Sequence, residues 1–207
     1  LSIPKDSTGP GTPWIPLNLS LHILNKSIEF ILDRGEKIIS ALDMMLTGLN
    51  KAGSGKIVYW SNHNKRPERE ALIKKVSKAT NLHFERIIKN HRLPDGRKVW
   101  QRDYDFFRRE PCLHDLHIML WAACTIVIST LKPVRIDELL DLEYNCLKYK
   151  EKDGYWLKQK VAKSSTQGER VTRHYPLPTF AAKTITYLQR LNDISRSYTN
   201  NGHTTEN

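Results

Sequence analysis

The sequence predicts an α+β protein, predominantly α-helical with a small antiparallel β-hairpin or sheet. Three observations carry that reading. Apolar residues recur at intervals of three and four over most of the chain. After about residue 142 the period changes from helical to extended, and the extended stretch is split by a polar turn containing Gly168. A length of 207 residues suits one domain, or one domain with an appendage, and 39% hydrophobic residues are enough to bury a core.

Residues 1–13, rich in Pro, Gly, Ser and Thr, read as a flexible lead-in. From Trp14 the pattern is helical. Leu24, Ile28, Ile31 and Leu32 share a face, Gly35 interrupts, and Ile38, Leu42, Met45, Leu46 and Leu49 resume the spacing. Gly48, Gly53 and Gly55 then close a hairpin of two helices. "RPEREALIKKVSKAT" places Pro67, Glu68 and Glu70 early and Lys74, Lys75 and Lys78 late, a helix matched to its own dipole. "LPDG" is a turn, and the segment 14–111 as a whole reads as helical and basic. Leu113, Leu116, Leu120, Cys124, Val127 and Leu131 make Leu113–Leu131 a central buried helix, and a short helix follows over about Ile136–Leu142. A polar connector leads to "GYWLKQKVAK" and "ERVTRHYPL", which flank "SSTQG" as a β-hairpin. Thr179 opens a last helix lined by Phe180, Thr184, Tyr187, Leu188 and Leu191, and residues 195–207 read as a disordered tail.

Charge narrows the partners. Thirty-three Lys+Arg against 22 Asp+Glu leave +11. Sixteen basic and seven acidic residues fall in 51–111, so the middle third holds most of the field. A basic excess favours polyanions, nucleic acid first, ahead of the plainer reading of a soluble protein with a basic surface. "VWQRDYDFFRRE" interleaves aromatics with arginines, which suits stacking plus phosphate pairing or, as plainly, a core stripe with a wet face. Three widely spaced cysteines form neither a disulfide framework nor a CxxC pair, which points to a reducing, cytoplasmic setting. The opening residues have no apolar signal core, and the run Ile118–Ile128 is shorter than a bilayer span of about 20 residues, so no membrane is expected.

Two tempting motifs fail. "GSGK" lacks the first glycine that a phosphate loop needs and has Ile57 where Ser or Thr belongs. "CLHDLH" puts His114 and His117 three apart, but no second cluster completes four metal ligands, and a polar helix start accounts for it.

The order of elements around Arg135 is more specific. An apolar helix leads to an arginine, then to an acidic residue three positions on. A connector, a hairpin with Lys163 near its tip, "YPLP" and a further helix follow. Arg135, Glu138 and Leu139 in "VRIDELLDL", Lys163 in "VAKSSTQGER" and Pro176–Leu177 in "RHYPLP" carry a resemblance to the first half of the catalytic domain of the tyrosine recombinase (phage integrase) family. The match covers about Leu113–Leu191 and assigns 112–194 to that half-domain. "WIPLNLSLHILNKSIEFIL" looks like the helical segment before the catalytic core of genomic-island integrases.

The resemblance implies a partial recombinase fold and strand exchange on mobile double-stranded DNA. Tyrosine would attack a phosphodiester to give a 3′-phosphotyrosyl intermediate, with no metal, nucleotide or other cofactor. Arg135 would bind the scissile phosphate, Lys163 would protonate the departing 5′ oxygen, and Glu138 would support. Other recombinase protomers on DNA would be partners. Lys160, Arg170, Arg173, His174 and Lys132 are the DNA-contact candidates.

Physical chemistry supports these types. Arginine presents a fixed fork of donors to two phosphate oxygens and keeps its proton. An amine on a hairpin tip suits general acid catalysis. Glu138 either orients the guanidinium or is an acid favoured by the helix dipole. Lys163 competes with Lys160, which alternation sends to the other sheet face. The family's HxxR box and nucleophilic tyrosine find no match after Leu191, since Tyr187 and Tyr198 come too early. Pro133 also replaces the common glycine two places before the arginine. The chain therefore reads as a truncated recombinase, inactive alone. A non-catalytic DNA-binding module or regulatory remnant is the alternative, and a helical interaction protein with incidental charge is a third.

Overall fold

A computed structural model of the chain describes residues 15–51, 66–84, 86–87, 111–132, 136–161 and 171–200. Helix α1 (Leu17–Lys51) precedes α2 (Arg66–Thr80), α3 (Leu113–Leu131) and the short α4 (Ile136–Leu140). Strands β1 (Leu147–Lys150), β2 (Gly154–Val161) and β3 (Val171–Leu177) form an antiparallel sheet in that order, and α5 (Thr179–Asn200) packs beside it. The expected α+β class holds, helices predominating over one small sheet.

Helix α1 corrects the expected break at Gly35. It runs through Gly35 and Gly48 as one helix of 35 residues. A Cβ on Gly35 would stand 2.7 Å from the Tyr187 ring, and one on Gly48 would stand 2.7 Å from Leu72. Glycine at an interior helical position costs about 1 kcal/mol against alanine. Here it allows α5 and α2 to approach α1 closely.

Two clusters make the core. Ile31, Ile38 and Met45 of α1 meet Val76 of α2, Leu116, Leu120 and Cys124 of α3, and Tyr187 and Leu191 of α5. Residues on both sides of position 111 thus share one interior. The second cluster joins Ile128, Leu139 and Cys146 to Leu157 and Leu177 of the sheet and Ala181, Ala182 and Ile185 of α5. Leu131 and Leu188 touch both.

Helix α3 begins with a capping box. The Asp115 amide donates to Cys112 Sγ at 3.4 Å, and the Cys112 amide donates to Asp115 Oδ2 at 3.1 Å. The Leu113 and His114 amides donate to the carbonyls of Arg86 and Ile87, both at 3.0 Å, so the first-turn donors are satisfied by the preceding chain. The expected buried helix is buried along its stripe and open on the other side. Leu113, Leu116, Leu120, Cys124 and Val127 face inward, whereas Ile118, Met119 and Trp121 lie 52%, 45% and 45% exposed. Its 19 residues also reach the length and apolarity of a membrane span by composition, although the apolar run alone is shorter. Of that apolar window, 44% is buried inside the protein.

The sheet adds a strand where the sequence reads as a connector. Lys150 pairs with Gly154 across three residues, the Asp153 amide donates to the Lys150 carbonyl at 3.1 Å, and Gly154 takes φ +78. A turn followed by a left-handed glycine is a standard hairpin closure. Strands β2 and β3 pair as expected, from Tyr155↔Leu177 to Val161↔Val171. Helix α5 continues to Asn200, which corrects the expected disorder at 195–200. Residues 1–13 and 201–207, the remaining flexible-end expectations, lie outside the described residues, as does 88–110 with its arginine–aromatic run.

Candidate nucleic-acid interface

Arg135, Lys163 and Arg170 lie outside the described residues, so the site is built from what surrounds them in the chain. Helix α3 ends at Leu131. Lys132 caps it in extended conformation and donates its amide to the Ile128 carbonyl at 2.9 Å, and α4 starts at Ile136. The intervening residues hold the arginine.

Paired residues of an antiparallel sheet share a face, and neighbours along a strand alternate. Leu157 and Gln159 of β2 therefore share the inner, helix-facing side with their partners Tyr175 and Arg173 of β3. Glu138 reaches this side from α4. It is 6% exposed, and Gln159 Nε2 donates to its Oε2 at 3.1 Å. An acid merely favoured by a helix dipole stays in solvent; Glu138 is turned into the sheet. Gln159 is itself 3% exposed, and among the described residues its Oε1 has no hydrogen-bond donor. A buried acceptor costs about 1–3 kcal/mol when unmatched. This pair of neighbouring acceptors, one carboxylate and one carbonyl, has the chemistry to receive a guanidinium. Lys132 lies over the Tyr175 ring, its Nζ 3.5 Å from the centroid, while Arg173 is exposed two residues along the same face.

The contact candidates divide. Lys132, Glu138 and Arg173 belong to the inner side. Lys160 and His174 fall on the outer face, with Lys158 as the His174 partner and Thr172 as the Lys160 partner. Lys148 and Lys150 of β1 join that outer face opposite Trp156 and Gly154, and Lys150 Nζ lies 4.3 Å from the Trp156 ring centroid.

Glu143, in the connector before β1, grips this outer face. Lys158 Nζ stands 2.8 Å from its Oε2 and Lys160 Nζ 2.9 Å from its Oε1. The two lysines hold the Glu143 carboxyl down at about 2, chiefly through the Lys158 hydrogen bond. The connector is tied to α5, because the Tyr144 hydroxyl donates to Asp193 Oδ2 at 2.8 Å and Gln189 Nε2 donates to the Tyr144 carbonyl.

Sequence reasoning missed Gln159, Tyr175 and Glu143. Gln159 had a signal: a polar side chain in the register of Tyr155, Leu157 and Val161. Glu143 had none, since its partners come from a strand 15 residues away. Tyr187 is 4% exposed and packs in the core, with burial pushing its hydroxyl up. His117 is pulled down by burial and then by His114, and among the described residues no three metal-ligating side chains gather.

Comparison with protein-family models, curated proteins and solved structures gives no match.

Proposed function

We propose that the chain is the first half of a tyrosine-recombinase catalytic domain with its preceding helical segment, and that it binds duplex DNA. Arg135 grips the scissile phosphate, Glu138 held by Gln159 fixes the guanidinium, and Lys163 donates the proton to the leaving 5′ oxygen. Lys132 and Arg173 flank this site against the phosphate backbone. In the parent reaction tyrosine attacks the phosphodiester, and rejoining needs neither metal nor nucleotide.

The observation that supports this reading best is the inward Glu138. It lies three residues after Arg135, buried against Gln159, whose carbonyl oxygen has no donor among the described residues. A preorganised donor on a developing phosphoryl charge is worth roughly 3–4 kcal/mol by analogy with oxyanion contacts. That magnitude justifies a buried carboxylate kept to aim it. The order helix, arginine, short helix, sheet, helix supports the same reading.

The test is a salt titration of duplex affinity. Binding should fall steeply with salt, as counterion release requires. Arg135→Ala should weaken it about tenfold, as expected for a lost charge-assisted bidentate contact. Affinity independent of salt, or no binding at low salt, contradicts the proposal. A second reading, a DNA-binding module without strand transfer, draws on the lysines of the outer face. It is favoured if Arg135→Ala is silent while lysine substitutions on that face weaken binding.

A further inference from the structure

We propose that the outer face of the sheet is a second surface for the DNA phosphate backbone, and that Glu143 occupies a phosphate position on it and is displaced when DNA binds. The inference rests on the duplex-binding part of the function proposed above, and on neither Arg135 nor strand transfer.

Lys148 and Lys150 of β1, Lys158 and Lys160 of β2 and His174 of β3 share this side by register. It is the solvent side: Lys148, Lys150, Lys160 and His174 are exposed. Consecutive strands lie about 4.8 Å apart, and same-face residues along a strand lie about 6.7 Å apart. One DNA strand presents a phosphate about every 3.4 Å of helix axis, so a file of lysines on one pleat can meet several charges of a strand's backbone.

Glu143 is the second observation. Its two oxygens lie 2.8 and 2.9 Å from the amines of successive outward lysines, Lys158 and Lys160. Two anionic oxygens bridging two ammonium groups is the arrangement a phosphate diester would make. The connector that carries Glu143 is fixed to α5 through Tyr144, which anchors the backbone beside the lysines and leaves the 36% exposed Glu143 side chain able to swing away. The ion pairs are solvent-accessible, with side chains 29% to 47% exposed, so a polyanion can compete for the lysines. Asp153 lies 3.8 Å from Lys150 at the edge of the face and makes no such bridge.

The consequence is measurable. Fluorescence anisotropy with a labelled duplex of about 20 base pairs is followed over about 50–300 mM salt. The proteins are the wild type, Glu143→Gln, Glu151→Gln and Lys158→Ala/Lys160→Ala with and without Glu143→Gln. Glu151 sits in the neighbouring turn, so its substitution changes net charge equally without freeing the pair.

Glu143→Gln should tighten binding about fivefold at low salt and make the salt slope steeper by about one to two counterions. Glu151→Gln should change affinity less than about twofold. In the double-lysine background Glu143→Gln should have no effect. Equal gains from the two glutamate variants, or a gain surviving loss of both lysines, overturn the Glu143 assignment while leaving duplex binding intact. No binding by any of these proteins at the lowest salt defeats the duplex reading and this surface together. Glu143→Ala serves as the second variant should the glutamine make its own contact with the lysines.

Discussion

Single residues show which contacts are structural and which are electrostatic. Gly35 faces the Tyr187 ring at a distance no Cβ tolerates. Gly35→Ala gains up to about 1 kcal/mol of helix propensity and loses about 1–3 kcal/mol to overpacking. The expected outcome is net destabilisation of about 1 kcal/mol, read from the denaturant midpoint; a more stable variant would mean that α1 and α5 separate freely. Glu138→Ala removes the acceptor of a buried amide and is expected to cost about 1–3 kcal/mol in the same measurement. Glu143 makes a pH prediction. Its folded pKa is depressed from 4.5 to about 2 by Lys158 and Lys160. Its contribution to stability is therefore present above about 4.5 and lost as pH falls towards about 2. Glu143→Gln should flatten the acid limb of the stability curve in that window, and the difference should shrink in high salt because the pair is exposed. An unchanged acid limb at low salt would show that the two lysines do not hold the carboxylate in solution.

Helix α3 sets the limits of what the sequence reveals about elements. Its spacing of Leu113, Leu116, Leu120, Cys124 and Val127 identifies the helix and its inner stripe before any coordinates. The exposure of the outer side is not legible, because Ile118, Met119 and Trp121 are as apolar as the stripe and composition does not say which side meets a partner element. Leu120→Ala should cost about 2–5 kcal/mol, whereas Trp121→Ser should change stability by less than about 1 kcal/mol. Similar losses at both positions would place the helix deeper than the structure has it. The hairpin of β2 and β3 was legible from period-two alternation. β1 is not legible although "KDG" is turn chemistry, because its lysines read as a polar connector. Gly35 misled in the opposite direction, since a glycine that permits close packing reads like one that breaks a helix. Glu138 was legible as a residue of interest, but its burial against Gln159 depends on the sheet lying beneath α4, a relation no local pattern encodes.

At the scale of the whole molecule, one interior joins the segment before residue 111 to the segment after it. Ile31, Ile38 and Met45 are fully buried against α3 and α5. A chain shortened to begin at residue 111 should therefore expose that stripe and lose its cooperative unfolding transition, checked by thermal melting; a cooperative melt in the shortened chain would make the later segment a unit of its own. The three cysteines report on burial more widely, Cys124 in this interior and Cys146 in the second cluster. Cys112, Cys124 and Cys146 are all buried, and burial pushes the Cys124 thiol up to about 12. The thiolate is the reactive form, so alkylation near neutral pH should proceed no faster than the protein opens.

The central functional claim is that Glu138 aims Arg135 at a phosphate, and a double-mutant cycle on duplex affinity tests it most directly. Wild type, Arg135→Ala, Glu138→Gln and the double variant are compared at one low salt concentration. Coupling between the two residues of about 0.5–3 kcal/mol is expected, because Glu138→Gln should weaken binding only while the guanidinium is present. Additive effects, or a Glu138→Gln loss that persists without Arg135, would contradict the claim.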